Sequence, residues 1–128
     1  MKNIKLEDAM ALHEYLIKET GGNPALRDEG LLASALESGF LTFDGIELYP
    51  TIEEKGARLC HSLVSNHAFV DGNKRIGVLA MLVFFAINGL DICATDQDVI
   101  RLGLSTASGE WGYNEVLSWV NTHVKHGG

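Results

Sequence analysis

Two kinds of residue are scarce along these 128 positions. Cysteine occurs only as Cys60 and Cys93, each in or beside an apolar run. Two such residues build no disulfide framework, and both read as small buried hydrophobes in a reducing compartment. Positive charge is also short: 10 Lys and Arg stand against 17 Asp and Glu, a net charge of −7. A general DNA- or RNA-binding face needs a basic surplus, so direct nucleic-acid binding is not expected. Long apolar runs are missing as well. The longest, Ile76 to Ile87, has 12 residues, short of the roughly 20 that span a bilayer. It suits a buried core helix, and no membrane contact is expected. Met1 to Glu7 holds no apolar leader stretch. The expected location is cytoplasmic. Neither internal repeats nor low-complexity segments occur.

What is present supports a packed core. Apolar residues make up 46% of the chain. The length suits one domain, residues 1–128, which buries roughly 65–70% of its unfolded surface and needs no staple. Leu6 to Thr20 has helical spacing, with Leu6, Ala9, Met10, His13, Leu16 and Ile17 on one face, and Gly21-Gly22 ends it. Arg27 to Glu37 reads as a short helix with Leu31, Leu32, Ala35 and Leu36 inward. Phe40, Phe43, Ile46, Leu48 and Tyr49 surround an Asp44-Gly45 turn signal, which predicts a short hairpin or extended flap. Thr51-Ile52-Glu53-Glu54 is a capping-box pattern. The helix behind it carries Leu59, Cys60, Leu63 and Val64 on one stripe, and a step of four from Leu63 predicts His67 at its inward C-terminal end. A second helix is expected from Asn73 to Ile87, with Asn88-Gly89 as its C-terminal signal. Thr95 caps another, and a last helix runs from Tyr113 to Val124 with Val116, Leu117, Val120 and Val124 inward. The sum is about six helices.

The chemistry concentrates between Asn66 and Arg75. One helix ends, the chain turns through Asp71-Gly72, and another helix begins. A helix start offers unpaired N–H groups and positive dipole character, which make an anion site. Gly72 lets the backbone approach an anion or adopt positive φ. Asn73 adds a donor, and Lys74 and Arg75 add two charges in the first turn. Cations there oppose the dipole at a cost of roughly 0.3–1 kcal/mol each, which a bound phosphate would offset. Asp71 is a hard oxygen ligand suited to Mg²⁺. His67 brings an imidazole, whose unperturbed pKa of about 6.5 suits general-base work. Together these are the parts that phosphoryl or nucleotidyl transfer needs. Chemistry alone leaves a plainer reading open, with His67 structural and Lys74-Arg75 on a solvated face.

His67-Ala68-Phe69-Val70-Asp71-Gly72-Asn73-Lys74-Arg75 resembles the signature of the Fic/Doc family. Gly21-Gly22, Leu26-Arg27-Asp28, the Leu31 to Leu36 run, Tyr49 to Lys55 and Asn88-Gly89 resemble Doc-type (death-on-curing) members, so the likeness covers about residues 5 to 125. It implies an all-α fold: a single compact Fic-fold bundle of about six helices, with a short flap or hairpin before the central helix pair. It also implies roles. His67 would take the proton of a protein hydroxyl, and Asp71 would hold Mg²⁺. Gly72 and Asn73 would cradle anionic oxygens, and Lys74 and Arg75 would neutralise phosphate charge. Phe43, Asp44, Gly45 and Ile46 would form the target flap, and Phe69 would anchor the loop in the core. Two departures from the better-known Fic pattern are Lys74 in place of Gly and Val78 in place of a second Arg. They match the Doc-type variant, which binds ATP in the reverse sense and moves its γ-phosphate onto a threonine or serine of a translation factor, elongation factor Tu. The resemblance further implies a toxin whose partner is an antitoxin with a disordered C-terminal segment. An AMP-transferring enzyme and a non-catalytic binding module are the alternatives.

Other residues read more plainly. Thr106 and Glu110 resemble the family's inhibitory motif only by chance, because Trp111 follows. Arg27-Asp28 reads as an ion pair or helix cap, and His13 as a satisfied core residue. His61 and His67 stand six apart, so they are no helical metal pair. His123 and His126 lack a third ligand nearby. Trp111, Tyr113 and Trp119 read as packing residues.

Overall fold

A computed structural model describes residues 1–125. Among these are six α-helices: α1 (Leu6–Thr20), α2 (Glu29–Glu37), α3 (Ile52–Asn66), α4 (Asn73–Ile87), α5 (Asp96–Ala107) and α6 (Tyr113–His123). A 3₁₀ turn, Ser38–Phe40, follows α2 and leads into two short strands, β1 (Thr42–Phe43) and β2 (Ile46–Glu47). The strands pair antiparallel, with Thr42 opposite Glu47 and Phe43 opposite Ile46. Asp44 and Gly45 both take positive φ, 54° and 79°, as the tightest hairpin turns require. The fold is therefore all-α with one small flap, as the sequence pattern predicts.

The pair α3 and α4 forms the centre. Cys60 and Val64 of α3 share one buried core with Ile76, Met81, Phe84 and Phe85 of α4. Close approach depends on two glycines. A Cβ on Gly77 would stand 2.5 Å from Val64 Cγ2, and one on Gly56 would overlap the Phe85 ring. Capping boxes at Thr51–Glu54 and Thr95–Asp98 start α3 and α5. Each joins a side-chain oxygen to an otherwise unpaired N–H, worth about 0.5–2 kcal/mol.

Several expectations shift. α2 begins at Glu29 rather than Arg27, because Asp28 Oδ1 accepts from Leu31 N–H at 3.0 Å and caps the helix. Residues 25–28 are instead drawn into the loop after α3, where Leu26 bridges Phe69. Cys60 is buried, and burial pushes its thiol up to about 12. Cys93 is exposed, since it lies in the link between α4 and α5, its N–H donating to His123 O. Met10 is 40% exposed, so the buried stripe of α1 narrows to Ala9, His13 and Ile17. α6 ends at His123, and Val124 leaves the helix to bridge Ile92. His126 lies outside the described residues. No described helix is long and apolar enough to cross a membrane.

Candidate active site

The loop between α3 and α4 is fixed from four sides. His67 is the C-cap of α3 with φ 54° and ψ 48°, a left-handed conformation that non-glycine residues adopt at a cost of about 1–3 kcal/mol. Arg27 holds it there: its Nε donates to His67 O at 2.7 Å and its Nη2 to Asn66 O at 3.3 Å. Backbone N–H groups of Arg27 and Asp28 both donate to Ala68 O, at 2.8 and 3.0 Å. The Asn73 side chain clasps Phe69, accepting from its N–H at 3.1 Å and donating to its carbonyl at 2.9 Å. From α1, the buried His13 ring stacks on Phe69, 3.6 Å between centroids, and His13 Nε2 lies 2.8 Å from Asp71 O. The helical stripe predicts an inward His67, but the left-handed cap turns it outward, and it is exposed.

α4 begins differently from α3 and α5. Its N-cap is Gly72 at φ 78°, with no side-chain cap and no acid in the first turn. The N–H groups of Asn73, Lys74 and Arg75 are thus left for an external acceptor. A cleft of about 280 Å³ opens over them, lined by His67, Asp71, Gly72, Lys74 and Arg75, with Val64 and Ala107 on its walls. Asp71 is half-exposed. Its Oδ1 accepts from Gly72 N–H at 2.8 Å, and Oδ2 lies 3.3 Å from Asn23 N. Arg75 donates to Thr20 Oγ1 and to Gly21 O at 3.0 Å, and its Nη2 lies 3.7 Å from Asp71 Oδ1. Lys74 is exposed, its stem lying over Gly103, and forms no ion pair among the described residues. The Fic/DOC family model matches residues 3–85.

The chain belongs to the Fic/DOC family.

A relative named Toxin Doc, from Mycolicibacterium smegmatis, is 44% identical over 81 residues, which are 63% of this chain and 62% of that protein. Protein kinase doc of Escherichia phage P1 is 28% identical over 116 residues, 91% of this chain and 90% of its own. The loop brings His67, Asp71, Gly72, Lys74 and Arg75 to one cleft. The Asn73 side chain is engaged with the Phe69 backbone at both ends of its amide, which leaves its own N–H at the start of α4 without a partner among the described residues. Phe69 is 2% exposed and anchors the loop. The flap residues Phe43, Asp44, Gly45 and Ile46 are all exposed, Phe43 and Ile46 at 74% and 71%.

Sequence reasoning passes over three supports of the site. His13 reads as core, and it is buried, but its polar atom serves the loop. Arg27 forms no ion pair with Asp28; it braces the His67 backbone instead. Lys55, given no role by its place in the sequence, is 2% exposed. Its Nζ donates to Gly39 O at 3.1 Å, Tyr49 O at 2.5 Å and Glu47 Oε1 at 3.2 Å, tying down both ends of the flap. A histidine on an otherwise apolar stripe was the available signal for His13; for Arg27 and Lys55 no local pattern exists.

Proposed function

We propose that this Fic/DOC protein is a Doc-like toxin that acts as a protein kinase, transferring the γ-phosphate of ATP to a threonine or serine of elongation factor Tu. One observation carries the reading: an exposed imidazole shares a cleft with an uncapped helix N-terminus and two cations. His67 takes the proton of the target hydroxyl as its oxygen bonds to the γ-phosphorus. The bond from that phosphorus to the bridging oxygen breaks, and ADP leaves. The N–H groups of Asn73, Lys74 and Arg75 meet the equatorial oxygens where charge gathers, with the Lys74 and Arg75 side chains beside them. Asp71 fits Mg²⁺, which takes one or two carboxylates and completes its shell with phosphate oxygens and water. When bound, the ion would neutralise phosphate charge. The names of both relatives, one a toxin and one a protein kinase, support the same reading.

Phosphate is favoured over AMP by two positions. Lys74 stands at the cleft, and Val78 is 7% exposed on an apolar wall, so no second arginine reaches a terminal phosphate. An apolar groove supports the partner reading. It holds about 450 Å³ and runs between α1, α4 and α5, with Ile100 and Leu104 exposed on its rim and Lys74 and Arg75 at one end. An antitoxin's C-terminal segment, apolar with an acidic end, would fill it and cover both cations.

Incubation with ATP, Mg²⁺ and elongation factor Tu, followed by intact mass measurement, tests the function. A gain of about 80 Da is expected; about 329 Da would mean AMP transfer. His67→Ala should lower the rate by about 10²–10⁴-fold, the usual share of a general base. Because His67 is exposed, the variant should keep its thermal stability.

A further inference from the structure

One face of α1 tracks the catalytic loop residue by residue. His13, Ile17 and Thr20 stand four and three residues apart, which places them within about 60° of arc on the helix. His13 Nε2 lies 2.8 Å from Asp71 O. Ile17 closes on Gly72, where a Cβ would stand 3.1 Å from Ile17 Cδ1. Thr20 meets Arg75, whose Nη1 donates to the threonine hydroxyl oxygen. The stripe is buried at His13 and Ile17 and exposed at Thr20, so a polar residue ends it where it meets a guanidinium.

Electrostatics account for the direction Arg75 takes. It lies in the first turn of α4, where the helix dipole repels a cation. The C-terminal end of α1 attracts one, and there the Gly21 carbonyl accepts from Arg75 Nη1 at 3.0 Å. Thr20 is oriented for the same role. Its hydroxyl donates to Leu16 O at 2.7 Å, which uses its one hydrogen and leaves its lone pairs to accept. Asp71 pulls the other way, its Oδ1 lying 3.7 Å from Arg75 Nη2. That carboxylate is itself held, Oδ1 by Gly72 N–H at 2.8 Å and Oδ2 by Asn23 N–H at 3.3 Å. The guanidinium is therefore set between the end of α1 and Asp71. Lys74, one residue earlier, forms no ion pair among the described residues, so of the two cations only Arg75 is tied in place.

We propose that Thr20 is a positioning residue: its hydroxyl, together with the Gly21 carbonyl, fixes the Arg75 guanidinium where it meets nucleotide phosphate. The inference rests on the nucleotide-binding reading above. Thr20 borders the apolar groove, whereas Arg75 lines both the groove and the catalytic cleft, so Thr20 reaches the site only through Arg75. An arginine side chain has many rotamers, and ordering it on binding costs affinity; a hydrogen bond that orders it beforehand removes that cost. Without the hydroxyl, one of the two neutral acceptors that oppose Asp71 is gone, and the guanidinium closes on the carboxylate.

Isothermal titration of the full chain with ATP and MgCl₂ tests this. Thr20→Val keeps the side-chain shape and removes the hydroxyl. It should raise Kd by about fivefold or more, the scale of one hydrogen bond to a charged group, and Thr20→Ser should restore it. Because Thr20 is exposed in the last turn of α1, Tm should hardly move in either variant. In an Arg75→Ala background, Thr20→Val should have no further effect, since the two residues act as one unit. An unchanged Kd in Thr20→Val overturns the proposal, and so do additive losses in the double variant. Equal losses in Thr20→Val and Thr20→Ser overturn it in favour of a packing role. A second readout needs no nucleotide: the Arg75 guanidinium signals of ¹⁵N-arginine-labelled protein, assigned by their loss in Arg75→Lys. Slow guanidinium rotation is expected in the parent chain and in Thr20→Ser, and fast rotation in Thr20→Val; identical rotation in all three overturns the proposal. If the parent chain binds no ATP, the functional reading fails, and the arginine signals still decide whether Thr20 fixes Arg75.

Discussion

His13 does not line the cleft, yet two of its contacts govern where Asp71 and His67 stand. Its ring lies flat on Phe69, 9° between planes, and its Nε2 meets Asp71 O at 2.8 Å. Phe69 and Asp71 bracket the middle of the loop, so a loss at His13 loosens both ends at once. His13→Phe keeps the stacking and removes the polar contact. It should cost about 1 kcal/mol in urea unfolding and lower kcat by about tenfold or more, because small misplacements of catalytic groups are expensive. His13→Gln, which restores a donor, should recover part of kcat; equal loss in both variants would make His13 a packing residue only. Gly72 is the other position where one atom matters. At φ 78°, a Cβ would be strained, and it would stand 3.1 Å from Ile17 Cδ1 and 3.4 Å from His13 Nε2. Gly72→Ala should therefore destabilise the fold by about 1–2 kcal/mol and raise KM for ATP, measured by denaturation and initial rates.

The flap is an element that cannot hold itself. Two-residue strands pair through little hydrogen bonding, and isolated hairpins are marginal in water. Lys55 supplies the missing anchor from α3, with Phe40 under its ammonium at 4.8 Å. Lys55→Met keeps the stem and removes the charge, leaving the Gly39 and Tyr49 carbonyls short of a donor. Amide hydrogen exchange at residues 42–47 should accelerate by about tenfold or more in this variant, the equivalent of one to two kcal/mol of local opening, while exchange in α4 stays unchanged. Uniform acceleration throughout the chain would show instead that Lys55 supports the whole fold. The contrast between Thr51 and Lys55 marks what a sequence discloses. Thr51 and Glu54 satisfy each other within one turn, so their roles follow from spacing alone. Lys55 acts across 6, 8 and 16 residues to three acceptors, and nothing local signals it. For the same reason His67, Asp71, Gly72 and Lys74 are legible as a contiguous string, but the braces from His13 and Arg27 are not. The start of α2 moves to Glu29 because Asp28 takes the helix-cap role that its place in the sequence offered, its Oδ1 accepting from Leu31 N–H three residues on.

For the whole molecule, charge and burial together set the response to acid. Two groups have folded-state pKa values held low. Asp98 is lowered chiefly by the Thr95 backbone N–H and hydroxyl of its capping box, with burial opposing and His123 adding to the fall. His61 is lowered by burial and by Arg58, with Glu115 opposing. The signs agree: in each case the unfolded chain binds the proton more readily, so stability rises with pH between the folded and unfolded values. The windows differ. Asp98 contributes above its ordinary 3.8, and the contribution is lost as pH falls through its lower folded value; being exposed, it is further weakened by salt. His61 acts nearer neutrality. Its full contribution is present above 6.5 and declines as pH falls from there toward the depressed folded value. Thermal melting between pH 8 and pH 5 should show Tm falling below about pH 6.5, where an unperturbed imidazole titrates. His61→Gln, which cannot take up the proton, should flatten that part of the curve relative to the parent chain. A parallel pair of curves would remove His61 as the source and leave the acid response to the other histidines and the carboxylates.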